Sequence, residues 1–114
     1  MLQAIEIPGR ETPLGIPWRI GEQDAISDIL VIEDDSSLAN LEADVLTAHG
    51  YTVVSVADGE SALSLLHQAI PDLVVLDLEL LGDIDGWDVL HELRSFSSVP
   101  VLITSSSTTT ARHY

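Results

Sequence analysis

The chain contains no cysteine and no lysine, and its only basic residues are four arginines (Arg10, Arg19, Arg94 and Arg112). Without cysteine there is no disulfide framework, no zinc finger and no thiol chemistry. Against those four arginines stand 19 acidic residues, which give a formal net charge of −15 over 114 residues. A chain of this sign does not track a phosphate backbone, so no nucleic-acid partner is expected. It also lacks the basic cluster that draws a protein to an anionic membrane, and no apolar run approaches the roughly 20 residues that span a bilayer. No basic segment followed by an apolar core opens the chain, so no signal peptide is expected and the expected location is cytoplasmic. Aromatic residues are scarce, at 4%, and the core must therefore be built from Leu, Val, Ile and Ala. What the chain does have is apolar content: 46% hydrophobic residues and a mean hydropathy of +0.28. Disordered acidic chains pair high charge with low hydrophobicity, so this composition encodes an aliphatic core beneath acidic surfaces or an acidic site.

Residues 1–27 differ from the rest. They hold three of the five prolines (Pro8, Pro13, Pro17) and Gly9, Gly15 and Gly21, which argues for an irregular arm. Two short apolar pieces in it, Ala4–Ile7 and Ile16–Ile20, suit extended conformations. Residues 28–114 alternate regularly. Ile29-Leu30-Val31-Ile32 is a continuous aliphatic run, as expected of a strand covered on both faces. Ser36 or Ser37 then caps a helix that places Leu38, Leu41, Val45 and Ala48 on one face, and Gly50 suits its C-terminal end. Tyr51 to Val56 reads as an edge strand. Asp58-Gly59 opens a second helix with Ala62, Leu63, Leu66 and Ala69 inward, closed by Pro71. Leu73-Val74-Val75-Leu76 is a second buried strand. A glycine-containing loop leads to a third helix near Trp87 to Phe96, with Leu90 and Leu93 inward and Trp87 in a packing role. Pro100 to Ile103 makes a fourth strand, and residues 108–114 suit the first turn of a further helix. The βαβαβαβ pattern and right-handed crossovers predict a doubly wound parallel sheet of strand order 2-1-3-4.

In such a sheet the first and third strands are neighbours, and their carboxyl ends form the crevice where ligands bind. The first strand ends in Glu33-Asp34-Asp35 and the third in Asp77. Carboxylates converging there repel one another, and a hard divalent cation with oxygen ligands, Mg²⁺ above all, relieves the repulsion. Asp35, one step further along, turns toward the helix start and suits a cap. Glu42, Asp44, Asp58, Glu60 and Glu92 read as solvated helix surface. The four histidines show no ligand spacing. A calcium loop opening at Asp77 is excluded by apolar Leu81 at its fifth position.

Ile29–Asp35, Gly50-Tyr51, Ala57–Leu63, Pro71–Leu78, Asp85-Gly86 and Val99–Ile103, in this order and near-regular spacing, resemble the receiver domain of two-component response regulators. The resemblance runs from Asp28 to about Ser106. It implies a flavodoxin-like fold and a phosphoacceptor, with self-catalysed phosphotransfer and autodephosphorylation, and no enzyme acting on an outside substrate. By the same resemblance Asp77 accepts a phosphoryl group from a histidine kinase or a phosphotransfer protein. Asp34 holds Mg²⁺ directly, Glu33 holds it through water, and the backbone carbonyl of Glu79 is a further ligand beside Asp77. Counting from Pro100, Ser105 is the hydroxyl residue that turns toward the phosphoryl group, with Thr104 the second choice.

The chain departs from the family pattern in three places. Receiver domains carry a lysine at the end of a fifth strand, whereas this sequence has no lysine and does not extend over the family's fifth strand and last helices. Leu81 stands where the family usually has proline, and Asp85-Gly86 falls one residue late. The arm of residues 1–27 lies outside the domain. The implied object is an incomplete receiver domain whose fourth strand has an unpaired edge, covered by the arm or by a second copy in a homodimer, or bare because the sequence is a piece of a longer one. The alternative function is a pseudo-receiver, a phosphorylation-independent interaction or dimerisation module. A phosphatase with a strand-end Asp nucleophile is disfavoured, because its second aspartate would fall at Glu79.

Overall fold

The computed structural model describes residues 26–104 and the strand Arg112–His113. The elements are β1 (Asp28–Ile32), α1 (Ser36–Ala48), β2 (Thr52–Val56), α2 (Gly59–Gln68), β3 (Leu73–Asp77), α3 (Gly86–Arg94), β4 (Val101–Thr104) and β5 (Arg112–His113). The sheet order is β2-β1-β3-β4-β5, with the first four strands parallel, as the aliphatic runs predict. The two uninterrupted runs are the central strands. Ile29 to Ile32 and Val74 to Leu76 are all buried, which is what strands covered on both faces require.

The main core lies on one face, where α2 and α3 press Ala62, Leu63, Leu66, Val89 and Leu93 onto Leu30, Ile32, Val74, Leu76, Val101 and Ile103. The opposite face carries a smaller cluster of Ile29, Val31 and Val75 with half-buried Leu46, Tyr51, Val53, Leu73 and Leu102. Asp72 braces the start of the sheet: its Oδ2 accepts the Ser27 and Asp28 N–H groups, each at 2.9 Å.

Acidic residues start the three described helices. Asp35, Asp58 and Asp85 are the N-caps, accepting from the backbone N–H groups of Leu38, Ser61 and Asp88. A short side-chain oxygen satisfies a donor that the first turn leaves open, and its charge suits the positive end of the helix dipole. The cap of α1 is therefore Asp35 and not Ser36 or Ser37, and Asp58 caps α2 while staying on the solvated surface. Asp85 and Asp88 form a reciprocal capping box. At the far end of α1, Gly50 takes φ +93°. The Gly50 and Tyr51 N–H groups then close on the Thr47 and Leu46 carbonyls at 2.9 and 3.2 Å, a turn in which glycine carries no Cβ penalty.

The expected inner face of α1 is rotated. Leu41 and Val45 are 59% and 49% exposed, while Ala39 is buried and Leu46 packs on the sheet. Apolar residues occupy more than half of this helix's circumference (Leu38, Ala39, Leu41, Ala43, Val45, Leu46, Ala48), so periodicity alone does not choose the face. Helix α3 spans Gly86–Arg94, with Val89 and Leu93 buried and Leu90 only half-buried. Trp87 is 56% exposed, so its indole does not serve the core.

Residues 112–113 form a strand antiparallel to β4, where the sequence suggests the first turn of a helix. Leu102 pairs with His113 and Ile103 with Arg112. The outer edge of β4 is thus occupied at two positions by the chain itself, which removes them from a homodimer built by adding strands to that edge. The arm segments Ala4–Ile7 and Ile16–Ile20 lie outside the described residues. Among the described residues no helix is long and apolar enough to cross a membrane.

Candidate functional site: an acidic pocket at the carboxyl ends of β1 and β3

Register delivers the acids. Ile32 pairs with Leu76 across β1 and β3, so the next residues, Glu33 and Asp77, stand side by side at the carboxyl ends of the two strands. Glu33, Asp34 and Asp77 each present a carboxylate oxygen, and these oxygens lie within 4.8 Å of one another. Glu33 and Asp77 are buried, at 4% and 2% exposure, and Asp34 is half-buried toward solvent. The three carboxylates assigned from the sequence are therefore one cluster.

Burial is the main reason that the Glu33 carboxyl is pushed up to about 7. The N–H of Asp35, which donates to Glu33 Oε2 at 3.1 Å, pulls the other way. Asp77, by hydrogen bond and by charge, and then Glu42, by charge, push it further up. Glu42 on α1 is half-buried rather than solvated surface, and its Oε1 is buried without a hydrogen-bond partner. Burial, then the Asp77 charge, raises its carboxyl too. Sequence reading missed Glu42 because it placed the helix face wrongly; on the observed face this carboxyl is half-buried.

Each clustered carboxylate accepts one backbone N–H. Asp35 donates to Glu33, Glu79 to Asp77 Oδ1 at 2.9 Å, and Leu81 to Asp34 Oδ2 at 2.9 Å. The last two come from the loop between β3 and α3, which is tethered to the core by buried Leu80 and half-buried Leu78. Gly82 follows at φ +108°, where the loop turns back. Gly86 brings α3 against the end of β3: a Cβ there would stand 2.5 Å from both the Asp77 carbonyl oxygen and the Leu78 Cα. Only glycine fits that approach.

On the other side of Asp77, Thr104 is its direct partner across β3 and β4. The Thr104 hydroxyl reaches the Leu76 carbonyl at 3.4 Å, a long contact that leaves it weakly held. Ser105, the first choice for the switch hydroxyl, lies outside the described residues.

The donor set is carboxylate oxygen throughout, with two mutually repelling buried acids and one facing solvent. That chemistry fits a hard cation that keeps part of its water shell, as Mg²⁺ does. Arg94, the one arginine on the described helices, is committed elsewhere: its guanidinium donates to the Ser97 and Val99 carbonyls.

Comparison with known proteins gives a consistent family. Residues 29–113 match the model of the response regulator receiver domain. The chain is 42% identical over 82 residues to the DNA-binding response regulator MtrA of Mycobacterium tuberculosis, covering 72% of this chain and 36% of that one. It is 45% identical over 75 residues to the probable transcriptional regulator ycf27 of Porphyridium aerugineum, covering 66% and 31%. The chain thus spans about a third of the length of these curated relatives. Among solved structures, the N-terminal domain of a response regulator/sensory box/GGDEF protein from Carboxydothermus hydrogenoformans superposes with a TM-score of 0.68 at 31% identity, over 70% of this chain and 65% of that one. The signal receiver domain of a putative Luxo repressor protein from Vibrio parahaemolyticus superposes with a TM-score of 0.64 at 29% identity, over 71% and 62%.

Proposed function

The chain belongs to the response regulator receiver domain family, and from that premise we propose that it accepts a phosphoryl group on Asp77 in a two-component signalling pathway. The observation that carries the proposal is the gathering of Glu33, Asp34 and Asp77 within 4.8 Å at the meeting of the two central strands. A strand-end carboxylate held in place by a backbone N–H is oriented for attack. One Asp77 carboxylate oxygen forms a bond to phosphorus. The P–N bond of a phosphohistidine on a histidine kinase or phosphotransfer protein breaks, and its electron pair leaves on the imidazole nitrogen. Water reverses the modification by hydrolysing the acyl phosphate. The chain is in this reading a phosphoacceptor that catalyses its own modification, with no outside substrate.

Mg²⁺, held by Asp34 and Asp77 with Glu33 nearby and the Glu79 carbonyl as a further ligand, would neutralise the negative charge of the transferring group. The protein's own contribution is positioning. Glu79 N–H fixes the Asp77 rotamer, and the Thr104 hydroxyl stands one strand away, weakly held and free to turn toward an acquired phosphoryl group; Ser105 follows it in the chain. Because the relatives named as DNA-binding are about three times longer than the matched region, any such output is theirs and is not assigned to this chain.

The second reading is a pseudo-receiver, which binds partners without phosphorylation. Incubation with a small phosphodonor and Mg²⁺, followed by intact mass, separates the two. The first reading expects a gain of one phosphoryl group that requires Mg²⁺ and is lost in Asp77→Asn. Equal incorporation by Asp77→Asn, or none by the wild type, overturns it.

A further inference from the structure

The Leu81 N–H donates to Asp34 Oδ2 at 2.9 Å across 47 positions of sequence. It ties the loop after β3 to the end of β1, the two segments that carry the acids. The Leu81 side chain makes no comparable commitment, being 79% exposed. What is fixed at this position is thus the backbone, not the side chain. Buried Leu80 on one side and Gly82 at φ +108° on the other set the direction in which the amide points.

We propose that Leu81 is a positioning residue for the cation, its backbone N–H holding one oxygen of Asp34 so that the other is turned toward the pocket. The inference rests on the phosphoacceptor reading and concerns how this chain builds that site. A carboxylate that accepts one bond on Oδ2 keeps Oδ1 for a metal, and its rotation about the side-chain bonds is stopped before the metal arrives. A hydrogen bond to a charged group contributes enough to matter for affinity. Any residue with an N–H can do this, whereas proline, which has none, cannot. The same bond closes the loop over the acids, so the position of the Glu79 segment and the aim of Asp34 are set together.

The test uses the whole chain and Mg²⁺ alone as the probe. In metal-free protein, exchange of the Leu81 amide hydrogen is expected to be slowed at least about tenfold relative to Asp34→Ala, since the exposed side chain offers it no other shelter. Mg²⁺ titrations followed by backbone amide shifts at residues 33–35 and 77–81 then compare wild type, L81A and L81P. L81A keeps the N–H and is expected to bind within about twofold of wild type. L81P is expected to bind at least about tenfold more weakly, which corresponds to about 1.4 kcal/mol, with its melting temperature reported beside the affinity. Should L81P not fold, replacing the amide at position 81 by an ester, which removes only the N–H, takes its place. Equal affinity in wild type and the variant lacking the N–H overturns the proposal, as does an unprotected Leu81 amide. No Mg²⁺ response in wild type overturns the phosphoacceptor reading itself, a different result from a response that is merely indifferent to position 81.

Discussion

The raised Glu33 carboxyl makes the stability of the metal-free protein depend on pH in a direction opposite to that of most acidic side chains. Folding lifts this group from 4.5 to about 7, chiefly by burying it. The folded state therefore holds the proton more tightly than the unfolded state. Its stabilising contribution is complete below about pH 4.5 and is lost as pH rises toward and through 7. At about 1.4 kcal/mol for each tenfold change in proton affinity, the full loss is about 3 kcal/mol, a large share of the roughly 5–15 kcal/mol that holds a small domain together. Glu42, shifted in the same direction by burial and by Asp77, adds to the trend without changing its sign.

The measurement is urea unfolding of wild type and Glu33→Gln at pH 5 and pH 8 in the presence of a chelator. Glutamine keeps the shape and cannot ionise, so the difference between the two proteins isolates position 33 from the general repulsion of the other acids. Glu33→Gln is expected to gain about 2–3 kcal/mol on wild type between pH 5 and pH 8. Saturating Mg²⁺ at pH 8 is expected to return most of the wild-type loss, because a ligand at 100 times its dissociation constant stabilises by about 2.7 kcal/mol. Parallel stability curves for the two proteins would refute the claim that burial at this position governs the proton, whatever Mg²⁺ does.

Four further outcomes are expected. Gly86→Ala should lower stability by about 1–3 kcal/mol, because its Cβ meets backbone rather than a movable side chain; thermal melts read it, and an unchanged melting temperature would show that α3 is free to slide from the end of β3. Leu66→Ala, at 1% exposure in the main core, should cost about 2–5 kcal/mol, whereas Leu41→Ser and Val45→Ser, on the exposed side of α1, should each stay within about 0.5 kcal/mol of wild type. Glu92→Gln should cost less than about 1 kcal/mol, since its 2.8 Å pair with His67 lies between half-exposed groups, even though His67 also stacks on Phe96 at 4.2 Å. Mg²⁺ should change the fluorescence of Trp87 in a Trp18→Phe background, since Trp87 follows Gly86, whose backbone closely approaches that of Asp77; a flat titration would count against both the metal and the link from pocket to helix.

What the sequence disclosed and what it withheld divide along a physical line. The strand order and the convergence of Glu33, Asp34 and Asp77 were readable because buried parallel strands need unbroken aliphatic runs, and those runs end in acids. The face of α1 was not readable, because a helix apolar over more than half its circumference can roll, and the sheet rather than the pattern decides. That error hid Glu42. Asp58 was readable as the residue that opens α2, but its capping bond was not, because an acid before a helix looks the same in sequence whether or not it accepts from the first turn. The pairing of Arg112 and His113 with β4 has no local signal at all, since two residues are too few to show a period.

The hydrogen bonds at the pocket make its geometry a property of the main chain. Backbone N–H groups of Asp35, Leu81 and Glu79 donate to Glu33, Asp34 and Asp77 in turn. Side-chain cations reach a site on flexible stems and tolerate small shifts of the main chain, but backbone donors do not. Two of the three here lie on one loop, whose ends are fixed by Leu80 in the core and by Gly86 against β3. The length of that loop therefore enters the chemistry directly. An inserted or deleted residue between Leu80 and Asp85 would move the Leu81 amide away from Asp34 or press α3 off the end of β3.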